Sequence, residues 1–268
     1  MTGLDVIDTL RLLSEGTISV EGRLVDASNA TLFGVVELDG VQAGCVYKPV
    51  AGERPLWDFP DGTLAARERA AYLVSEATGW GLVPPTVLRD GPFGSGMCQL
   101  WIDVDPDLEL VDLVPRGQLP RGWLRVLDAL GGGGQPVTLG HADAPALRRM
   151  AILDAVINNA DRKGGHVLPV PGGDVYGVDH GVCFNTDDKL RTVLWGWAGR
   201  RLPGEDAEVL RRLWVELDEG RGGLGAALRE LLTAGEVART VERVKRLLED
   251  CRHPQPAEGW PAIPWPPF

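Results

Sequence analysis

The sequence predicts an α+β protein of two lobes, a small antiparallel β-rich lobe followed by a larger, mainly helical one. Three observations predict it. Short β-rich pieces crowd the first hundred residues around a single internal helix. Helical periodicities follow one another between about 205 and 250. No regular βαβ alternation links the two, which excludes a doubly wound parallel sheet. The boundaries read as 1–102 for the β-rich lobe with its N-terminal helix, 103–255 for the helical lobe, and 256–268 for a Pro/Trp-rich tail. A cleft between two such lobes is a natural place for a small ligand.

The elements follow in order. Leu4, Ile7, Leu10 and Leu13 recur at helical spacing, so residues 3–15 form a helix ended by Gly16. About three antiparallel strands follow in 17–50, with Asp39-Gly40 as a tight hairpin turn. A Pro/Gly-rich loop (51–63) leads to a helix at 64–78 closed by Gly79, then strands at 83–90 and 96–103. Residues 103–123 read as loop. WLRVLDAL (123–130) reads as a helix ending at Gly131–Gly134. A long helix spans 144–159, its start marked by Asp143 and Pro145. Two short strands then flank a Gly-containing turn, and helices occupy about 205–217, 223–232 and 235–250.

At 268 residues the chain is long enough to bury a substantial core. Its net charge of −11 disfavours broad binding to a nucleic-acid backbone or an anionic lipid surface, although Gly199-Arg200-Arg201 is locally basic. It does not exclude a nucleotide held by local cations. No apolar run reaches the length of a membrane span, so stable membrane insertion is not expected. The N-terminus lacks the pattern of a signal peptide. Cys45, Cys98, Cys183 and Cys251 are far apart and read as free thiols, which points to a reducing cytoplasm.

The stretch from Ala151 to Gly181 carries the chemistry. It runs helix, polar loop, strand, turn and strand, and places Asp161 and Asp179 at the ends of a hairpin-like element. Metal-dependent phosphoryl transfer uses such a pair, one carboxylate near the acceptor hydroxyl and one on the metal. Lys48 ends an apolar strand, where its ammonium needs an anionic partner. Glu68 on the following helix is the candidate. A Lys held by a helix Glu can grip nucleotide phosphates.

In that order these pieces resemble the phosphatidylinositol 3-/4-kinase branch of the kinase superfamily. They are most similar to the type II phosphatidylinositol 4-kinases, and to an actinobacterial family described by that distant similarity. Tyr47-Lys48-Pro49 resembles the strand with the ATP-binding Lys. Arg67-Glu68-Arg69-Ala70-Ala71-Tyr72 resembles the helix with its pairing Glu, and Val83-Pro84-Pro85-Thr86 the segment after it. Gly94 to Ile102 resembles the strand and hinge that read adenine. Asp161-Arg162 resembles the start of the catalytic loop, and Val178-Asp179-His180-Gly181 the metal-binding Asp-Phe-Gly equivalent. The likeness covers about residues 20–200.

The resemblance implies an atypical protein-kinase-like fold binding ATP with Mg²⁺. Lys48 and Glu68 would serve the phosphates. Backbone at Gln99, Leu100, Trp101 and Ile102 would meet adenine. Asp161 would orient or deprotonate a hydroxyl acceptor on a lipid, protein or small molecule, and Asp179 would bind metal. Two departures stand out. His166 occupies the place of the family's second metal-binding Asn, and imidazole suits softer ions, so Mn²⁺ is possible. The phosphate-covering loop has no glycine pattern, which leaves Ser28, Asn29 and backbone N–H groups to cover the phosphates. A nucleotide-binding pseudokinase and a nucleotidyl transferase on the same fold are the alternatives. Trp195 and Trp197 read as core or cleft wall, and Trp260 and Trp265 as pins for the tail.

Overall fold

The computed structural model describes residues 5–24, 30–218 and 223–268. Helix α1 (Val6–Glu15) is capped by Asp5, whose carboxylate accepts from the N–H of Asp8. It leads into β1 (Thr17–Arg23), β2 (Leu32–Leu38) and β3 (Val41–Pro49). Asp39 and Gly40 turn β2 into β3, both at positive φ (53° and 79°) as a primed hairpin turn requires. Helix α2 (Leu64–Thr78) starts at Thr63, whose hydroxyl accepts from the N–H of Ala66, and ends at left-handed Gly79. Strands β4 (Thr86–Gly91) and β5 (Gly94–Leu100) complete an antiparallel five-stranded sheet of order β1-β2-β3-β5-β4.

Strand alternation gives this sheet two faces. On one, Cys45, Tyr47, Val36 and Cys98 pack with Leu12 and Leu13 of α1 in a core of their own. On the other, Val46, Lys48 and Gln99 face the cleft between the lobes. The positions that bury the sheet and those that build the site are therefore interleaved along one strand.

The chain then departs from expectation. Residues 123–130 are not a helix but a strand, and the preceding stretch holds another. Strands β6 (Val111–Pro115), β7 (Trp123–Leu130) and β8 (Pro136–Ala142) form a three-stranded antiparallel sheet of order β6-β8-β7. The apolar spacing of WLRVLDAL fits either period over so short a run. Cross-strand packing decides, because Leu113, Leu139 and Leu127 stand side by side across the sheet. Gly131–Gly134 is the turn of the β7–β8 hairpin, closed by the N–H of Gly131 on the carbonyl of Gln135.

Helix α3 (Pro145–Ile157) begins at Ala144, with Pro145 in its first turn. Asp143 does not cap it; its carboxylate accepts instead from Trp197 Nε1 at 2.9 Å. After the hairpin of β9 (Val167–Pro169) and β10 (Val175–Gly177), helices α4 (Gly204–Leu217), α5 (Gly223–Arg229) and α6 (Ala234–Asp250) complete the mainly helical second lobe. Thr233 and Glu236 form a reciprocal capping box at the start of α6. The main core joins α3 (Met150, Ile152, Leu153) to α4 (Leu210, Leu213), α6 (Val244) and the inner edge of α2 (Ala70, Val74), which ties the lobes together. No helix among the described residues is long and apolar enough to cross a membrane. The four cysteines are free thiols, all buried except the half-buried Cys251.

His253 is buried and stacks on Trp197 with ring centres 6.2 Å apart. Burial, aided by Arg148 and Arg200 nearby, pulls its pKa down to about 4. Unfolded, it would bind a proton near pH 6.5; folded, it resists until about 4. Its stabilising share is thus complete above pH 6.5 and lost as the pH falls toward 4, at most about 3 kcal/mol. The urea midpoint should fall between pH 7 and pH 5, and His253→Asn should flatten that slope.

Candidate functional site

Helix α3 ends at Asn158 in the left-handed conformation (φ 52°), and the loop that follows carries Asp161 and brings Gly165 and His166 to the cleft. Asn158 ties this corner to the second lobe: its amide donates to the carbonyls of Asn185 and Asp187 and accepts from the N–H of Lys189. Asn159 bonds the Asp154 carboxylate through its amide, while its oxygen accepts from the N–H of Asp161. The loop bearing Asp161 is thereby fixed from behind.

Arg162 is fully buried beside it. Its Nε and Nη2 meet the Asp154 carboxylate at 2.9–3.2 Å. Nη1 donates to the carbonyls of Val178 (2.9 Å) and His166 (3.3 Å), and Nη2 lies 2.6 Å from Nε2 of His180. One guanidinium thus clamps the segments carrying Asp161, His166 and Asp179. The contact requires the lone pair of His180 Nε2, so the proton of His180 sits on Nδ1, 3.8 Å from Glu68. Burial, with Arg162 adding to it, holds the His180 pKa well below its usual value.

Asp179 adopts φ 61°, a left-handed conformation tolerated by Asp at a cost of order 1 kcal/mol. The turn sends its carboxylate into the cleft, where it is half exposed. Lys48 Nζ bridges Asp179 Oδ1 at 2.9 Å and Glu68 Oε1 at 2.7 Å. The second oxygen of buried Glu68 accepts from the N–H of His180 at 2.8 Å. Burial pulls the Lys48 pKa down, but Asp179 and Glu68 outweigh it and hold the ammonium charged. Lys48 in turn keeps the Asp179 carboxyl well below its usual range.

His166 Nε2 lies 3.4 Å from Asp179 Oδ2. Burial lowers its pKa to about 4, only partly countered by Asp179, so the ring is neutral at pH 7 and can offer a lone pair. Its Nδ1 is buried with no hydrogen-bond partner. Among the described residues no three His, Cys, Asp or Glu side chains converge to hold a metal alone. A carboxylate and an imidazole at the mouth of a cleft do fit a cation that keeps several ligands for phosphate oxygens and water.

Asp161 carries Lys163 Nζ at 3.4 Å and Arg191 Nη2 at 3.3 Å. Burial raises its pKa, and those two cations only partly counter it. The cleft itself, about 760 Å³, is lined by Thr31, Val46, Lys48 and the Gln99–Val104 hinge on one side, and by His166, Leu168, Val178 and Asp179 on the other. Lys48, Gln99, Leu100, Trp101, Ile102, His166 and Asp179 are therefore brought to one cavity. Glu68 stands behind Lys48. Asp161 does not line that cavity. Ser28 and Asn29 lie outside the described residues.

At the hinge, Gln99 is buried and its amide donates to Thr86 Oγ1 at 2.8 Å. The N–H of Leu100 goes to Pro85 and that of Trp101 to Gly44, so these two amides are committed to the fold. Sequence reasoning missed Asp154, the partner of Arg162, for it reads as one more polar residue on an apolar helix. Val46 was findable: it lies two residues before Lys48 and shares its strand face.

The fold is that of an atypical kinase. A structure of the Golgi casein kinase with Mn/ADP bound aligns with a TM-score of 0.57 at 14% identity, covering 98% of this chain and 80% of that one. The structure of hydra Fam20 with sugar aligns with a TM-score of 0.55 at 15% identity, covering 92% and 88%. No protein-family model matches the chain. The chain belongs to the family of Protein Rv2133c of Mycobacterium tuberculosis, to which it is 48% identical over 270 residues, covering 97% of this chain and 96% of the relative.

Replacing Arg162 with Leu would leave the Asp154 carboxylate buried and uncompensated. Urea denaturation should show a loss of about 3–5 kcal/mol. Replacing the partly exposed Lys163 with Ala should change stability by no more than about 0.5 kcal/mol.

Proposed function

We propose that the protein is an ATP-dependent phosphotransferase that moves the γ-phosphoryl group to a hydroxyl acceptor. The observation that carries the reading is Lys48 bridging Glu68 and Asp179 in the lobe cleft. A charged, immobilised ammonium beside a carboxylate kept ionised is the pairing that phosphates with a divalent cation need. The roles follow the likeness of these motifs to those of type II phosphatidylinositol 4-kinases. Lys48 engages the phosphates and Glu68 holds it in place. The adenine lies against Val46, with the hinge near Ile102 reading its edge. Asp179 and His166 would hold Mg²⁺ or Mn²⁺, which when bound neutralises charge on the phosphates; a neutral imidazole favours Mn²⁺.

Asp161 receives the proton. As the acceptor oxygen forms its bond to the γ-phosphorus, the bond from that phosphorus to the β–γ bridging oxygen breaks. ADP leaves with the electron pair, and the hydroxyl proton passes to the Asp161 carboxylate. A raised carboxyl pKa makes Asp161 a better proton acceptor than an ordinary Asp. A nucleotide-binding module without turnover is the second reading. It is favoured by His166 standing where an oxygen ligand is usual and by the sparse ligand set.

Thermal-shift titration with ATP and Mg²⁺ or Mn²⁺ tests the binding half. ATP should raise the melting temperature, and Lys48→Met or Asp179→Asn should abolish the rise. Transfer from γ-labelled ATP, to water where no acceptor is supplied, tests the chemical half. Asp161→Asn should keep ATP binding and lose about 10²–10⁴-fold in rate. The acid limb of the wild-type rate profile should lie above the ordinary Asp value of 3.8, because the base must be deprotonated and its pKa is raised. Binding with no transfer, unchanged in Asp161→Asn, selects the module.

A further inference from the structure

Resting on the phosphotransferase reading, we propose that the side chain of Gln99 selects the nucleotide by its base. Its carbonyl oxygen accepts from the 6-amino group of adenine and excludes 6-oxopurines, and Thr86 is the positioning residue that fixes it in that orientation. Two independent features carry this: the direction of one hydrogen-bond chain across the sheet, and the commitment of the hinge amides elsewhere.

Strand register places Thr86, Gln99 and Val46 abreast across β4, β5 and β3, so their side chains share one face of the sheet. Val46 and Gln99 line the cleft, while Thr86 is fully buried outside it. Thr86 has one hydroxyl hydrogen, and it goes to the carbonyl of Pro84 at 2.7 Å. Toward Gln99 that hydroxyl can therefore only accept, and it accepts from Nε2 at 2.8 Å. This fixes which end of the amide is which. Turning the amide over would set two oxygens against each other, or take the hydroxyl away from the Pro84 carbonyl. The Gln99 carbonyl oxygen has no hydrogen-bond partner among the described residues, so a buried acceptor is left to the cleft.

The hinge leaves this acceptor much of the selection. The N–H of Leu100 is held by the carbonyl of Pro85 at 2.9 Å and that of Trp101 by the carbonyl of Gly44 at 3.0 Å, so neither can donate to a purine edge. Lys48 lies two residues from Val46 on the same strand face, about 7 Å along the strand. With phosphates at Lys48 and the base against Val46, the purine edge remote from the sugar turns toward Gln99. That edge carries position 6, an amino donor in adenine and a carbonyl acceptor in guanine and hypoxanthine. The amino group meets the Gln99 oxygen as donor to acceptor. A carbonyl there would place two acceptors together in a buried site, which is costly. Gln99 cannot turn over to receive it, because Thr86 has no second hydrogen to give.

Nucleoside diphosphates with Mn²⁺ provide the test, because they bind without turnover. ADP, IDP and purine riboside 5′-diphosphate, which lacks only the 6-amino group of ADP, are titrated by calorimetry against the full chain. The wild type should bind ADP at least about fivefold tighter than purine riboside diphosphate and at least about tenfold tighter than IDP. Gln99→Met should bring ADP and purine riboside diphosphate within about twofold of each other, chiefly by weakening ADP. Thr86→Val frees the amide to turn, so IDP should gain on ADP by at least about threefold, and Thr86→Ser, which keeps the hydroxyl, should retain the wild-type ratio. Equal wild-type binding of ADP and purine riboside diphosphate, or IDP as tight as ADP, overturns the proposal. So does a base preference unchanged in Gln99→Met, or Thr86→Val and Thr86→Ser behaving alike. Should Gln99→Met not fold, the three wild-type affinities and the Thr86 pair decide on the same criteria. Failure of all three nucleotides to bind the wild type is the separate outcome that removes the phosphotransferase reading.

Discussion

The site depends on one buried ion pair, Arg162 with Asp154. Neither group touches the cleft, yet the guanidinium joins helix α3 to the carbonyls of His166 and Val178 and to the ring of His180. Burying two charges is expensive, and a buried pair of this kind is weak evidence of stability for its own sake. What it provides here is registration. The loop bearing Asp161 and His166 and the strand end bearing Asp179 must be held near one another, and a five-donor planar group with all its partners in fixed directions does so with little freedom. Gly177 fits this account. A Cβ there would come within 3.1–3.2 Å of the guanidinium nitrogens, so the strand passes close because it has no side chain.

From that hub the electrostatics follow. His180 lies between Arg162 and Glu68, its ring against one and its backbone N–H on the other. Glu68 passes the constraint to Lys48, and Lys48 to Asp179. Lys48 thus stands between two carboxylates, which keep its ammonium charged against the effect of burial. His180, at the place of Phe in the Asp-Phe-Gly motif that this stretch resembles, is therefore more than packing. A phenyl ring could not accept from Arg162, and the guanidinium would have a donor to place elsewhere.

Much of this was legible in the sequence, and the reasons differ from residue to residue. Lys48 ends an apolar strand and Glu68 sits on a helix, so each announced a need for a partner before any fold was known. Asp161 and Asp179 were visible as carboxylates at the ends of short elements. The hairpin turn at Asp39-Gly40 and the stops at Gly16 and Gly79 were local backbone chemistry, which sequence reports well. The strand at 123–130 was not legible, because its leucines satisfy both periods and only pairing with 136–142 decides. Asp154 was hidden for a related reason. On an apolar helix one carboxylate looks like an exposed face until Arg162, eight residues on, is seen folded back against it. The committed amides of Leu100 and Trp101 depend on partners far off in the chain, which no hinge motif reveals.

The tail and His166 shape the surroundings of the Asp161 loop and of the cleft. The aligned kinase structures share only the fold at this level of identity, so the site is defined by the chain's own contacts. Its tail occupies the backbone donors that flank the Asp161 loop, and two cations crowd the carboxylate there. In the cleft a neutral imidazole stands where an amide is usual, neutral because burial among Arg162, Lys163 and Lys48 leaves no room for another positive charge. An imidazole gives a single directional lone pair, harder to satisfy with a strongly hydrated ion than an amide oxygen.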